Sequence, residues 1–307
     1  MTSHFSDSQN SIGRRNFIKS LFGLGGAIEP PRKTRTPRPV VTFVWCDLRT
    51  GQIGFPTGLR VEVGLPGSTM KLVAVAAAME EGIINPNETI DCPGHLKIGQ
   101  REFSCVQPHG SVDVVHALAH SCNVYFATLS QRMSASLFLE YARRLGLDKG
   151  VGTVSAGKFP EAANEPTSEY VLGMSKNLQP NVLQLMRLSA LVATRGDIPY
   201  LHSAEDKAEG KPRFHVKLGD GTWSRLREGM QLAVHDGTAH KLDPDNAMHL
   251  AAKTGTAPYG KKFQSCITGY FPTEAPRYAF CLAASTGTSQ ETAVPKAREF
   301  LFAATWP

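Results

Sequence analysis

The chain has no apolar run as long as the roughly 20 residues that a membrane-crossing helix requires. It contains no Cys-x-x-Cys pair, so its spacing gives no sign of a zinc ribbon or a thioredoxin-like redox centre. Six cysteines in 307 residues are too few for a small disulfide scaffold. No internal repeat is visible, and 28 Gly with 20 Pro fall short of a collagen-like or low-complexity composition. What is present is an ordinary globular balance, 41% hydrophobic and 20% charged. The length allows one large domain or two small ones, with a sizeable core either way.

The formal net charge is +6, but it is unevenly placed. Residues 1–38 hold seven Lys/Arg against Asp7 and Glu29, whereas the remainder holds 26 basic and 25 acidic residues. A folded basic face would point to nucleic acid. Charge confined to a leader does not, so no nucleic-acid partner is expected. The leader pairs Arg14 with Arg15, places Phe17 two residues on, and continues into the short Gly-rich apolar run 20–28. It resembles a twin-arginine export signal. Residues 1–28 are therefore read as that signal and 29–39 as a basic, Pro-rich linker. The body would then be periplasmic or otherwise exported. No clear Ala-x-Ala cleavage site follows, and no Cys ends the run as a lipid anchor would need.

Residues 40–47 are β-branched and aromatic and predict a strand, with a turn at 50–52 leading into a second, short one. Pro66-Gly67-Ser68 before residues 69–81 and Gly82 after them are helix start and stop signals. This helix is apolar nearly all round, as a buried helix is. Lys71 is its one charge before Glu80, and an unpaired buried cation is costly. Helices are predicted at 112–119, 124–133, 134–147, 180–195 and 225–234, with an irregular loop over 148–176. Strands are predicted at 249–256, 266–271 and 277–285. A last helix covers 289–304, starting late or bent at Pro295. Strands at both ends with helices between predict an α/β (α+β) domain whose antiparallel sheet joins the N- and C-terminal segments. Cys92 and Cys105 flank a segment that reads as a hairpin. In an oxidising compartment they could bridge; the alternative is that all six cysteines stay reduced and mostly buried.

Three short stretches could carry chemistry. Ser68 and Lys71 stand three residues apart at a helix start, on one face. There the free amides and dipole favour developing negative charge. Burial would lower the lysine pKa and make its amine a base for the serine hydroxyl. Ser121-Cys122-Asn123 breaks two helices and offers a hydroxyl and a carboxamide, although in isolation a plain helix cap is the preferred reading, since Ser and Asn both favour that role. Lys253-Thr254-Gly255-Thr256 follows apolar Leu250-Ala251-Ala252; Gly255 would let another backbone approach closely. The plainer reading is an edge strand with a solubilising lysine.

Taken in order, Pro66-Gly67-Ser68-Thr69-x-Lys71, Ser121-x-Asn123 and Lys253-Thr254-Gly255-Thr256 resemble the transpeptidase domain of penicillin-binding proteins, relatives of the serine β-lactamases. The separations fit, 50 residues from Lys71 to Ser121 and 130 from Asn123 to Lys253. So do His109-Gly110, Leu183-Gln184, Gly237-Thr238-Ala239 and Thr268-Gly269-Tyr270-Phe271-Pro272. The resemblance spans residues 40–305 and makes 40–307 the catalytic domain, of β-lactamase/transpeptidase-like fold. It implies Ser68 as nucleophile toward D-Ala-D-Ala stem peptides of peptidoglycan or toward β-lactams. Lys71 would be the base and Ser121 a proton shuttle between Lys71 and Lys253. Asn123 would hold the substrate amide. Lys253, Thr254 and Thr256 would bind the terminal carboxylate, and the Ser68 and Thr256 amides would form the oxyanion hole. The strand around Gly255 would pair with the extended substrate. Neither a metal nor an organic cofactor is implied.

Longer members of the family carry a membrane helix and a pedestal domain, where this sequence reads as a leader and about 25 residues before the Ser68 region. Within the same chemistry the alternatives are a D,D-carboxypeptidase or a β-lactamase. The latter would need an activating glutamate in the 148–176 loop, where Glu161, Glu165 and Glu169 lie. A non-catalytic β-lactam or peptidoglycan sensor is the alternative of a different class; it would have no need of Ser68.

Overall fold

The computed structural model describes residues 39–58, 64–206 and 208–306. The twin-arginine-type leader, residues 1–28, and the linker up to residue 38 lie outside the described residues.

In chain order, the β-branched start forms β1 (Val41–Asp47), and a turn at Gly51 leads to the short β2 (Ile53–Gly54). A 3₁₀ turn, Gly67–Met70, then runs into α1 (Lys71–Glu80). The α-helix thus begins at Lys71 rather than at 69, because Gly67 at φ +56° and Pro66 set up the tighter turn first. Every residue of α1 from Lys71 to Ala78 is buried, as its all-round apolar pattern requires. Four short strands follow: β3 (Ile90–Cys92), β4 (His95–Ile98), β5 (Arg101–Ser104) and β6 (Gly110–Val112). β3 pairs with β6 and β4 with β5. The β4–β5 hairpin is the one expected between Cys92 and Cys105.

The helices α2 (Val114–Ala119), α3 (Asn123–Ser130) and α4 (Ala135–Arg144) match the predicted order. The loop expected over 148–176 contains a short helix, α5 (Thr167–Val171). Its five residues sit among Gly, Pro and Glu and have too little local periodicity to announce it; buried Tyr170 and Val171 hold it in place. Next comes α6 (Val182–Thr194), opened by an Asn181–Gln184 capping box and buried from Val182 to Ala193. Arg187 on α6 donates to the carbonyls of Gly146, Lys149 and Gly150, stapling the end of α4 to this helix.

After β7 (Asp197–Ile198) and β8 (Phe214–His215), α7 (Asp220–Asp236) is longer than the predicted 225–234. Its extra first turn is accepted by Glu80, whose Oε1 takes the Gly219 N–H at 2.9 Å and the Thr222 hydroxyl. The chain closes with β9 (Ala251–Tyr259), β10 (Lys262–Phe271), β11 (Tyr278–Ala284), a π turn at Ser289–Ala293 and α8 (Val294–Ala303). The last two account for the bend expected near Pro295.

The main sheet has the order β2-β1-β11-β10-β9 and is antiparallel throughout. The register Val41↔Ala284 to Asp47↔Tyr278 joins the two ends of the domain, as expected. Alternation along β11 divides the molecule. Ala279, Cys281 and Ala283 face a core shared with α1 and α6, whereas Phe280, Leu282 and Ala284 face a second core under α8. The sheet is therefore a middle layer, and β9 is its edge. No helix among the described residues is long and apolar enough to cross a membrane.

Candidate active site

Three elements meet at one place: the 3₁₀ turn into α1, the loop between α2 and α3, and β9. The loop owes its shape to how α2 ends. Cys122 N–H bonds to Ala117 O at 2.9 Å and Ser121 N–H to Leu118 O at 3.2 Å, the paired bonds of a Schellman motif. Ser121 occupies the left-handed position, φ +54°, that glycine usually fills. Cys122 then caps α3, its sulfur accepting Tyr125 N–H at 3.3 Å. A cap is therefore present, but Cys122 supplies it rather than the Ser or Asn that a plain helix cap would use, and the same turn aims Ser121 and Asn123 at Lys71.

Lys71 is fully buried. Its Nζ donates to Asn123 Oδ1 at 2.7 Å, Ser121 O at 2.8 Å and Ser121 Oγ at 3.2 Å. That network explains how the helix keeps its one cation. Burial lowers the Lys71 pKa to about 7, against a smaller raising effect from the Cys122 and Cys105 thiols. Lys253 on β9 is also fully buried, which removes the reading of a solubilising edge lysine. Its Nζ donates to Ser121 Oγ at 2.9 Å and to Thr254 O at 3.1 Å. Burial, and then the charge of Lys71, hold its pKa well below the usual lysine range. Two amines around one hydroxyl cannot both stay protonated cheaply.

Ser68 sits half-buried in the 3₁₀ turn, where residues three apart eclipse, and its carbonyl accepts the Lys71 N–H. The sequence placed this serine at the α-helix N-terminus, one turn above its base. The structure instead sets Ser68 before the α-helix, and among the described residues no hydrogen bond engages its Oγ. The Lys71 amine is turned toward Ser121 and Asn123.

The β9 tetrad is packed tightly against the serine turn. A Cβ at Gly255 would lie 2.4 Å from Pro66 O and 2.8 Å from Cys266 Sγ. The backbone that Gly255 admits is therefore that of Pro66. Gly67 N–H in turn bonds to Gly173 O at 3.0 Å, at a place where a Cβ on Gly67 would meet the Thr256 backbone at 2.7 Å. Thr254 Oγ1 donates to Thr238 Oγ1 at 2.8 Å, and Thr256 Oγ1 accepts Ser289 N–H at 2.9 Å. Thr238 and Ser289 had no individual role in the sequence reading. Thr238 lay in a quoted stretch, Gly237-Thr238-Ala239, while Ser289 carries no local signal. Of the loop acids, Glu169 pairs with Arg101 and Glu165 accepts from Asn177 at 3.0 Å, while Asn164 binds Tyr170.

A second cluster lies beside the loop. Cys92, Cys105, His109 and Cys122 bring their sulfur and nitrogen ligand atoms within 4.8 Å of one another. The absence of Cys-x-x-Cys spacing argues against a zinc site at the level of sequence; the fold brings these four together without that spacing. All six cysteines are free thiols, so Cys92 and Cys105 are not bridged here.

A sequence model of the family described as the penicillin binding protein transpeptidase domain matches residues 62–303. The chain belongs to that family. Penicillin-binding protein PbpB of Mycolicibacterium smegmatis is 26% identical over 244 residues, covering 69% of this chain and 38% of that protein. Peptidoglycan D,D-transpeptidase FtsI of Escherichia coli is 23% identical over 235 residues, covering 70% of this chain and 38% of that one. The chain thus spans under two fifths of the length of these curated relatives. Among solved structures, PBP2 of Pseudomonas aeruginosa in complex with WCK 5153 shares the fold. Its TM-score is 0.72 at 21% identity, over 85% of this chain and 69% of that one. The α+β architecture of the penicillin-binding transpeptidase domain is therefore the architecture of this chain.

Proposed function

We propose that this chain is a serine D,D-transpeptidase that acylates itself on peptidoglycan stem peptides ending in D-Ala-D-Ala, and on β-lactams, through Ser68. One observation carries the reading: Ser121 Oγ stands between two buried amines, 3.2 Å from Lys71 Nζ and 2.9 Å from Lys253 Nζ. Burial of this kind is expensive for a purely structural purpose and is typical of tuned acid–base groups. The names of the relatives point to the same chemistry.

In this reading Ser68 Oγ attacks the carbonyl of the penultimate residue while Lys71 Nζ takes its proton. Hydrogen bonds of this type often close only when substrate is bound, so a half-buried Ser68 whose Oγ makes no hydrogen bond among the described residues is compatible with the role. The Ser68 and Thr256 amides would hold the developing oxyanion. Ser121 would pass a proton to the departing D-Ala amine, drawing on the two lysines. Lys253, Thr254 and Thr256 would receive the terminal carboxylate, and Asn123 the substrate amide. The edge strand β9, rather than the space at Gly255 that Pro66 fills, would accept the extended peptide as an added strand. An acceptor amine then releases the acyl group by transpeptidation. The Glu169–Arg101 and Glu165–Asn177 pairings occupy two of the acids that a β-lactamase would have needed to hold a water.

We further infer export of the body, on the strength of Arg14-Arg15 and the apolar run behind them. Replacing both arginines by lysine and following a fused reporter tests this; unchanged export would remove the twin-arginine route.

Incubation with a fluorescent penicillin, followed by mass spectrometry over time, tests the chemistry. A lasting adduct on Ser68, absent from Ser68→Ala, is the expected result. Rapid conversion to hydrolysed drug would make the chain a β-lactamase, and no adduct at all would make it a binding module. A D-Ala-D-Ala peptide with and without an acceptor amine then separates transpeptidation from carboxypeptidation.

A further inference from the structure

We propose that Cys92, Cys105, His109 and Cys122 form a structural zinc site that clamps the loop carrying Ser121 and Asn123. The distances fit a tetrahedral ion. With Zn–S near 2.3 Å and Zn–N near 2.0–2.1 Å, tetrahedral ligands stand about 3.8 Å apart for two sulfurs and about 3.6 Å apart for sulfur and nitrogen. Here Cys92 Sγ to Cys105 Sγ is 3.7 Å, Cys105 Sγ to Cys122 Sγ is 3.8 Å and Cys92 Sγ to His109 Nδ1 is 3.4 Å. Three sulfurs and an imidazole nitrogen form a soft, closed ligand set. It suits zinc and excludes magnesium and calcium, and four protein ligands leave no open position for a reacting water.

The four side chains are placed by backbone, independently of any ion. Cys92 ends β3, Cys105 follows β5, His109 precedes β6 and Cys122 caps α3. His109 N–H bonds to Cys92 O at 3.1 Å and Cys105 N–H to Gly94 O at 2.8 Å. The His109 ring stacks on His120 with centroids 5.6 Å apart. Cys92 and Cys122 are buried, and Cys105 and His109 are half-buried, so two of the four ligands reach solvent. The sulfurs already have N–H partners of the kind that support metal thiolates: Asn123 N–H to Cys105 at 3.1 Å and Tyr125 N–H to Cys122 at 3.3 Å.

The local fold supplies a reason for the ion. None of the eight residues of β4 and β5 is buried, and an isolated two-stranded hairpin is marginal in water. A metal joining Cys92, Cys105 and His109 to Cys122 would tie this hairpin to the helical core, where otherwise only the partly buried Leu96 and Cys105 pack against it. The same tie reaches the proposed active site. Cys122 lies between Ser121 and Asn123, Cys105 receives the Asn123 N–H, and the neighbouring Ser104 carbonyl accepts Asn123 Nδ2 at 2.7 Å. The positioning consequence rests on the transpeptidase reading; the metal site does not.

The test uses the full chain, expressed with added zinc and purified under reducing conditions. Elemental analysis and native mass spectrometry are expected to find one zinc per chain. Replacement by Co(II) is expected to give thiolate-to-metal charge-transfer absorption in the near ultraviolet with tetrahedral d–d bands. Cys105→Ser and His109→Ala should each lower zinc affinity more than about tenfold. EDTA should lower the Tm of the unsubstituted chain and leave that of Cys92→Ser unmoved. The cobalt spectrum of the unsubstituted chain keeps the proposal testable if the variants fail to fold. A folded chain that carries no zinc and gives no cobalt charge-transfer band overturns it. So does a reduced preparation in which Cys92 and Cys105 are found cross-linked. Penicillin labelling on the same samples reports separately on Ser68.

Discussion

Ser121 Oγ accepts a hydrogen bond from Lys253 Nζ at 2.9 Å, linking the loop that ends α2 to the edge strand of the main sheet across 132 residues of sequence. Removing that hydroxyl should leave both lysines their carbonyl partners, Ser121 O for Lys71 and Thr254 O for Lys253. Ser121→Gly suits the left-handed backbone better than Ser121→Ala, by about 1–2 kcal/mol. Both variants should fold and both should acylate about 10²–10⁴-fold more slowly. Stopped-flow labelling with a fluorescent penicillin, paired with thermal melts, checks this. Unchanged rates would take Ser121 out of the proton path.

The second prediction concerns pH. Lys71 acts as a base only when neutral, and burial brings its pKa to about 7. Acylation should therefore rise through about pH 7 and level off above it. Stability follows by linkage. The unfolded chain holds the Lys71 proton up to about 10.5 while the folded chain releases it near 7, so the unfolded state binds more protons and stability rises with pH over that interval. Above about pH 9 the buried thiols Cys46 and Cys266, pushed up to about 12, oppose the trend because the unfolded state now loses protons first. Denaturant titrations at pH 6, 7.5 and 9 should show rising midpoints. A Lys71→Met chain should show a shallower slope, the remainder coming from buried Lys253, which is also held below the usual lysine range; an undiminished slope would take Lys71 out of the pH dependence.

The third prediction concerns the contact that seats the serine turn on β9. Gly255→Ala would drive a Cβ to 2.4 Å from Pro66 O. Overpacking of this kind costs about 1–3 kcal/mol. Because the displaced turn carries Ser68, acylation should fall together with Tm. A variant that melts normally and labels normally would show the turn to be looser than these distances imply.

Thr238 offers a fourth test. Its hydroxyl accepts from Thr254 at 2.8 Å, so Thr238→Val should free Thr254 to turn. The expected result is a KM for a peptide with a terminal carboxylate raised more than kcat is lowered. An unaltered KM would make the Thr238–Thr254 bond purely structural.

The sheet and the buried helix were legible because their causes are local. β-Branched runs make β1, and an apolar stretch with a Pro-Gly start and a Gly stop makes α1. That Lys71 needs a partner was legible for a similar reason, since one lysine in an apolar helix is a conflict that only a partner can settle. Which partner it takes was less accessible. Ser121 adopts a glycine-like conformation without being glycine, so nothing in the tripeptide announces the turn that directs its carbonyl and hydroxyl to Lys71. The Ser68 turn is tighter than an α-helix because of Gly67 and its contacts with Gly173 and β9, which are distant in sequence. Cys92, Cys105, His109 and Cys122 are separated by twelve, three and twelve residues. No short pattern contains that spacing; the β3–β6 pairing and the cap of α3 bring the four together.

The middle position of the sheet has a practical outcome. β11 turns Phe280 and Leu282 toward α8 and Ala279 and Cys281 toward α1, so α8 covers the side opposite the one that buries Lys71. A handle attached through Lys296 or Glu299, both solvent-facing on α8, would therefore fasten the protein to a surface without entering the core that buries Lys71.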